Sequence, residues 1–154
     1  MDRHPIVSPA HAYVPGKTKR HPDGWFDAIR ASVTIELDAN ALAFTNAWRT
    51  GLAYFDDGYF WEAHEVLEPV WQQAPPNSIE RKFVQALIQL SNARLKLRMG
   101  RPKATIRLCE AVDLLLAECE KPGRDNVMGL APGRVREWLN DTRKSANLVI
   151  NIAS

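Results

Sequence analysis

The sequence predicts an all-α protein: a compact bundle of about five helices in antiparallel hairpins, preceded by an extended N-terminal arm. Three observations lead there. Apolar residues recur at helical spacing through most of residues 40–150. The breaks between these stretches are short and carry glycine or proline. The chain has 154 residues, 45% of them hydrophobic, which suffices for one domain with a real core and no metal or disulfide staples.

The arm comes first. Residues 1–24 hold four of the ten prolines and three of the four histidines, and prolines at that density exclude a helix. Tyr13, Val14 and Trp25 give the arm something to bury. WFDAIR, residues 25–30, predicts a helical turn. SVTIEL, residues 32–37, is strand-like in composition, but a lone strand has no partner, so an extended lead-in is expected. The arm is therefore taken as residues 1–37 and the helical domain as residues 38–150.

The first helix is predicted over residues 40–56, with Leu42, Phe44, Trp48, Leu52 and Phe55 in helical register and Gly58 as its stop. The second runs from Tyr59 to about Gln72, before the break at residues 74–77. The third starts at an Asn77 cap with Glu80 three residues on and ends at Gly100. Pro102 opens the fourth, which runs to about Glu120. The fifth starts near Pro132 and extends to about Ile150. The third helix is apolar over most of its circumference and keeps only a narrow polar stripe of Gln85, Gln89, Asn92 and Lys96. A helix of that kind is packed on several sides, so it belongs at the centre. Gly58 and Gly100 each begin a turn between paired helices, a tetratricopeptide-like pairing with too few units for an array.

Charge and composition exclude some classes of function. A net charge of +2 is too small for nucleic-acid binding. No run of about 18 apolar residues spans a bilayer, and the N-terminus has no apolar segment of a secretory signal. Neither nucleic acid nor membrane is expected as a partner. Residues 38–76 carry net charge −5 and residues 77–120 carry +3, which predicts ion pairs between neighbouring helices. Cys109 and Cys119 fall on one helix about 15 Å apart, too far to bridge. Reduced thiols and a cytoplasmic location follow as expectations.

Chemistry is concentrated in the second helix. On a helical wheel Tyr59, Phe60, Ala63, Val66, Leu67, Val70 and Trp71 share one arc, and Glu62, Glu65 and Pro69 are placed opposite. His64 and Glu68, four apart, stack at the edge of the apolar arc, with Trp61 and Trp71 on either side. A half-buried imidazole beside a carboxylate suits general acid/base work. The same pair supplies two metal ligands, but a site needs three or four. Further donors would come from His21 and Asp23 in the arm or from Gln85 and Gln89 on the third helix. The chain has no Glu-x-x-His, so no metal is assigned, and any cofactor is left open. The plainer reading, a His–Glu pair stapling helices together, is favoured. Arg94 is expected to ion-pair with Asp56 or Asp57, and Arg98, Arg101, Lys103 and Arg107 to form a solvated basic face. Trp25, Trp48 and Trp138 are expected in the core. No glycine-rich phosphate loop, nucleophile elbow or CxxC is present.

GYFWEAHEVLEPVW, followed by RKFVQALIQLSNARLKLRMGR, resembles the signature of the domain of unknown function (DUF) 309 family, small all-helical bacterial proteins. The matching positions are Gly58, Tyr59, Glu62, His64, Glu65, Glu68, Trp71, Phe83, Gln85, Leu87, Ile88 and Gln89. AYVPGKTKRHPDG, residues 12–24, looks like the arm of one branch of the family. The resemblance implies a few antiparallel helices and no particular reaction. Two departures stand out. The histidine that relatives often carry late in the third helix is replaced by ArgLeuLysLeuArg. Pro69 cannot donate to the Glu65 carbonyl, which predicts a kink or an early end at Glu68.

The expected function is a non-enzymatic helical interaction or self-association module, with a protein partner or a second copy of the chain as its ligand. Its candidate site is His64, Glu68, Glu65, Trp61, Trp71, Tyr59, Gln85 and Gln89. The alternative is a metal-dependent or general acid/base enzyme acting on a small ligand through His64 and Glu68.

Overall fold

The computed structural model describes residues 5–153; the first four residues of the expected arm lie outside the described residues. Among the described residues there are seven helices: two single turns, α1 (Asp27–Arg30) and α2 (Ala39–Leu42), then five long helices, α3 (Asn46–Asp57), α4 (Phe60–Gln73), α5 (Ile79–Arg98), α6 (Pro102–Cys119) and α7 (Pro132–Ala153). Each long helix packs on the next in sequence, as short connections dictate. α5 also touches α7, so it contacts three long helices and lies at the centre, as its apolar circumference requires. Leu87, Leu90 and Phe83 of α5 are fully buried with Leu67, Leu116 and Leu139 from these neighbours and with Trp48 of α3, whose ring centroid lies 6.4 Å from that of Phe83. Residues 32–37 form no strand. Among the described residues no helix is long and apolar enough to cross a membrane.

Several expectations are corrected at the helix ends. The predicted first helix is two, because Thr45 turns extended (φ −70°, ψ 153°) and its hydroxyl accepts from Trp48 N–H at 3.2 Å while donating to the Leu42 carbonyl at 2.8 Å. A hydroxyl that satisfies local backbone groups competes with helix continuation. α3 ends at Gly58, left-handed at φ 86°, with Tyr59 N–H returning to the Tyr54 carbonyl. The cap of α5 is Ser78, not Asn77: the serine hydroxyl accepts from Arg81 N–H at 3.1 Å, and Asn77 makes the left-handed turn before it (φ 62°).

α4 does not end at Glu68; it continues to Gln73 with Pro69 inside. The reason lies in α1. The Arg30 guanidinium donates to the Glu65 carbonyl, the acceptor that Pro69 leaves without an N–H.

Ionic pairing also differs from expectation. Arg94 meets neither Asp56 nor Asp57: its Nε donates to Thr142 Oγ1 at 2.9 Å and its Nη2 to the Trp138 carbonyl at 3.2 Å, so it ties α5 to α7. The acids of residues 38–76 pair backwards, Glu65 and Glu68 both with Arg30. Arg136 and Arg143 of α7 hold Asp113 and Glu120 at the α6 surface, which keeps the Asp113 carboxyl below its usual range.

Trp48 is buried and Trp25 and Trp138 half-buried. Cys109 and Cys119 are buried free thiols; burial raises both, Cys119 to about 11.

Candidate functional site

α4 presents three faces. The first is the core face of Ala63, Val66, Leu67 and Val70, none of which is exposed. It packs so closely that a Cβ at Gly51 of α3 would stand 2.4 Å from Leu67 Cδ2.

The second face meets α5 in a groove of about 310 Å³. Five of the eight expected site residues line it: His64, Glu68, Trp71, Gln85 and Gln89. Asn92 joins them and was not singled out, although the polar stripe of α5 contained it. Its side-chain oxygen lies 3.0 Å from His64 Nδ1. An amide oxygen accepts only, so Nδ1 carries a hydrogen and Nε2 is turned toward Glu68 Oε2, 3.5 Å away. The His64 side chain is 34% exposed and that of Glu68 36%, so the pair stands at the boundary between core and water. Glu68 is flanked on its other side by Arg30 Nη2 at 3.7 Å. The Trp71 ring is covered by the Arg81 guanidinium, 4.6 Å from its centroid, and its Nε1 is buried with no hydrogen-bond partner among the described residues. His64 and Glu68 are the groups here best able to ligate a metal, and Gln85 and Gln89, expected as further donors, line the same groove. Among the described residues no third His, Cys, Asp or Glu converges with them.

Tyr59, Trp61 and Glu65 do not enter this groove. Tyr59 packs against Tyr54, with centroids 5.7 Å apart. Trp61 faces the arm, edge-on to Tyr13 at 5.2 Å and to Phe26 at 5.9 Å. Glu65 turns to Arg30 and lines a separate cleft of about 390 Å³ with Trp61 and His21. His21 and Asp23, expected as extra donors beside His64, both lie in that second cleft instead.

The third face carries the largest surprise. Glu62, expected opposite the apolar arc, is completely buried. Its Oε2 accepts from Tyr13 N–H at 2.7 Å and lies 2.5 Å from His21 Nε2; its Oε1 has no partner among the described residues. His21 has a side chain only 3% exposed, set between His11, Trp61 and Phe26 at centroid distances of 4.8, 6.0 and 5.2 Å. The arm thus closes over α4 through a buried carboxylate. Tyr54 completes this face: its hydroxyl donates to the Val7 carbonyl at 2.6 Å, and burial, helped by the charge of Glu62, pushes its pKa up to about 12. The wheel held the signal for Glu62. It precedes Val66 by four residues and therefore lies on the same face.

No curated protein and no solved structure matches the chain. Residues 48–108 match the model of a domain of unknown function, DUF309. That span runs from Trp48 of α3 through all of α4 and α5 to Leu108 of α6, and so contains every residue lining the α4–α5 groove. Over this segment the chain is similar to the DUF309 family.

Proposed function

We propose that the protein is a non-enzymatic helical binding module that holds a segment of a partner chain in the α4–α5 groove. One observation carries this reading: Trp71, which lines a groove together with Gln85, Gln89 and Asn92, has a buried indole N–H with no acceptor among the described residues, which a small turn of the ring would offer to a ligand. A buried donor left without a partner costs about 1–3 kcal/mol, and a ligand carbonyl would remove that cost. Side-chain amides both donate and accept, so they complement the alternating N–H and C=O groups of a main chain. A second copy of this chain is one such partner.

The test is selection from a random peptide library displayed on phage, with the whole protein as bait. Selected peptides are expected to bind Trp71→Phe, which keeps a ring but loses the N–H, about tenfold more weakly than the parent protein. Peptides that bind Trp71→Phe and His64→Ala as well as the parent would overturn the reading. Light scattering, repeated with Trp71→Phe, tells whether a second copy occupies the groove.

A second reading has one observation in its favour. Asn92 fixes the His64 tautomer and aims Nε2 at Glu68 beside open space, a geometry suited to general acid/base catalysis. The buried, unpaired cysteines suit a reducing compartment, which supports a cytoplasmic location.

A further inference from the structure

Two cations stand apart from the α4–α5 groove. Arg94 and Arg98 lie one turn apart on α5 and project into a cleft of about 400 Å³ between the start of α4 and the middle of α7. Both guanidiniums are laid on aromatic rings. Arg94 is 4.6 Å from the Phe55 centroid and 5.8 Å from that of Phe60; Arg98 is 4.4 Å from that of Phe60. Stacking fixes the plane of a guanidinium and leaves its edge to donate.

Part of each edge is already used. Arg94 donates through Nε to Thr142 and through Nη2 to the Trp138 carbonyl, and Arg98 donates through Nη1 to the Gly58 carbonyl. These acceptors are neutral. Among the described residues Arg94 Nη1 and Arg98 Nη2 have no acceptor, and neither arginine forms an ion pair. Burial pulls the Arg94 pKa below its usual value, the sign of a charge that has lost water. A cation desolvated in this way is normally paired.

We propose that this cleft binds a small organic carboxylate: the two guanidinium edges take the carboxylate, and Phe60 and Leu97 take its apolar body. Charge favours a monoanion over phosphate. Asp141 also lines the cleft, so two arginines and one aspartate leave a net +1, and a dianion would meet the aspartate's repulsion. The Ser145 hydroxyl, on α7, adds a neutral donor. The volume lies within the range of small-ligand sites.

Calorimetric titration of the whole protein at low salt tests the proposal, with benzoate, hexanoate and inorganic phosphate as separate probes. Benzoate or hexanoate is expected to saturate one site, about tenfold more tightly than phosphate. Arg98→Gln changes an exposed side chain and should leave the fold intact; it is expected to weaken binding about tenfold or more. Arg107→Gln, an exposed charge on α6, is expected to leave binding unchanged. Failure of both organic acids to saturate a site, or binding indifferent to Arg98→Gln, would overturn the proposal. Phosphate binding as tightly as either acid would overturn its assignment to an organic monoanion.

Discussion

Glu62 is the residue on which the arm depends. It has no exposure, and its Oε2 receives both the Tyr13 N–H and the His21 imidazole. Truncation to alanine would strand both groups and leave a cavity, so Glu62→Ala is expected to cost about 3–5 kcal/mol in urea unfolding. Glu62→Gln keeps the shape and one accepting oxygen and should cost less than half as much. Equal losses for the two variants would mean that the carboxylate charge, and not the volume of the side chain, matters there. The neighbouring Tyr54 predicts an alkaline limit. Its folded pKa of about 12 lies above the ordinary value of 10, so the unfolded chain gives up this proton first as pH rises. Stability from this group is complete below pH 10 and is lost between 10 and 12. Tyr54→Phe should flatten the fall of stability across that window, and an unchanged slope would refute the assignment. The burial of Glu62 was legible in its spacing from Val66, but a carboxylate is so seldom buried that residue type outweighed position. Its partners were not legible, because Tyr13 and His21 lie 49 and 41 residues away in the chain.

At the scale of elements, α4 survives an internal proline because α1 supplies the missing donor. The Glu65 carbonyl, freed by Pro69, is taken by Arg30, which also lies near the Glu65 and Glu68 carboxylates. A double-mutant cycle isolates that carbonyl bond. Pro69→Ala restores an N–H to the helix and is expected to stabilise it. Arg30→Met should cost about 1 kcal/mol more in the parent than in the Pro69→Ala background, where the backbone no longer needs the guanidinium. A coupling of zero would show that Arg30 acts through the carboxylates alone. The five long helices were visible in the sequence because hydrophobic period and glycine or proline breaks are local signals. Their exact ends were not. Thr45 splits one predicted helix with a hydroxyl bond at each side, and Ser78 displaces Asn77 as a cap. Each of these polar residues suits both a cap and a turn, so composition alone does not separate the two roles.

For the molecule as a whole, the hairpin order of α3 to α7 follows from short connections, but the arm is a long-range addition laid over one face. It covers Trp61 and Glu62 through Tyr13, His21 and Phe26, and reaches Tyr54 through Val7. It also caps the far end of α5, where Lys17 Nζ donates to the Arg98 carbonyl at 2.7 Å. The groove of His64, Glu68 and Trp71 lies on another side of α4, against α5, and no arm residue among those described lines it. Removing residues 1–26 should therefore act unevenly. Amide exchange in α4 is expected to speed up, because its arm face becomes wet and Glu62 loses both partners. Amides in the middle of α5 should stay the slowest in the protein, since Phe83, Leu87 and Leu90 keep their neighbours in α4, α6 and α7. Peptides selected on the groove should still bind the shortened chain, within about threefold, because the groove residues are left untouched. Unchanged exchange in α4 would mean that the arm rests on a surface able to stand without it. Exchange raised equally in α4 and α5 would mean that arm and bundle open as one cooperative unit, with the buried carboxylate as the bolt between them.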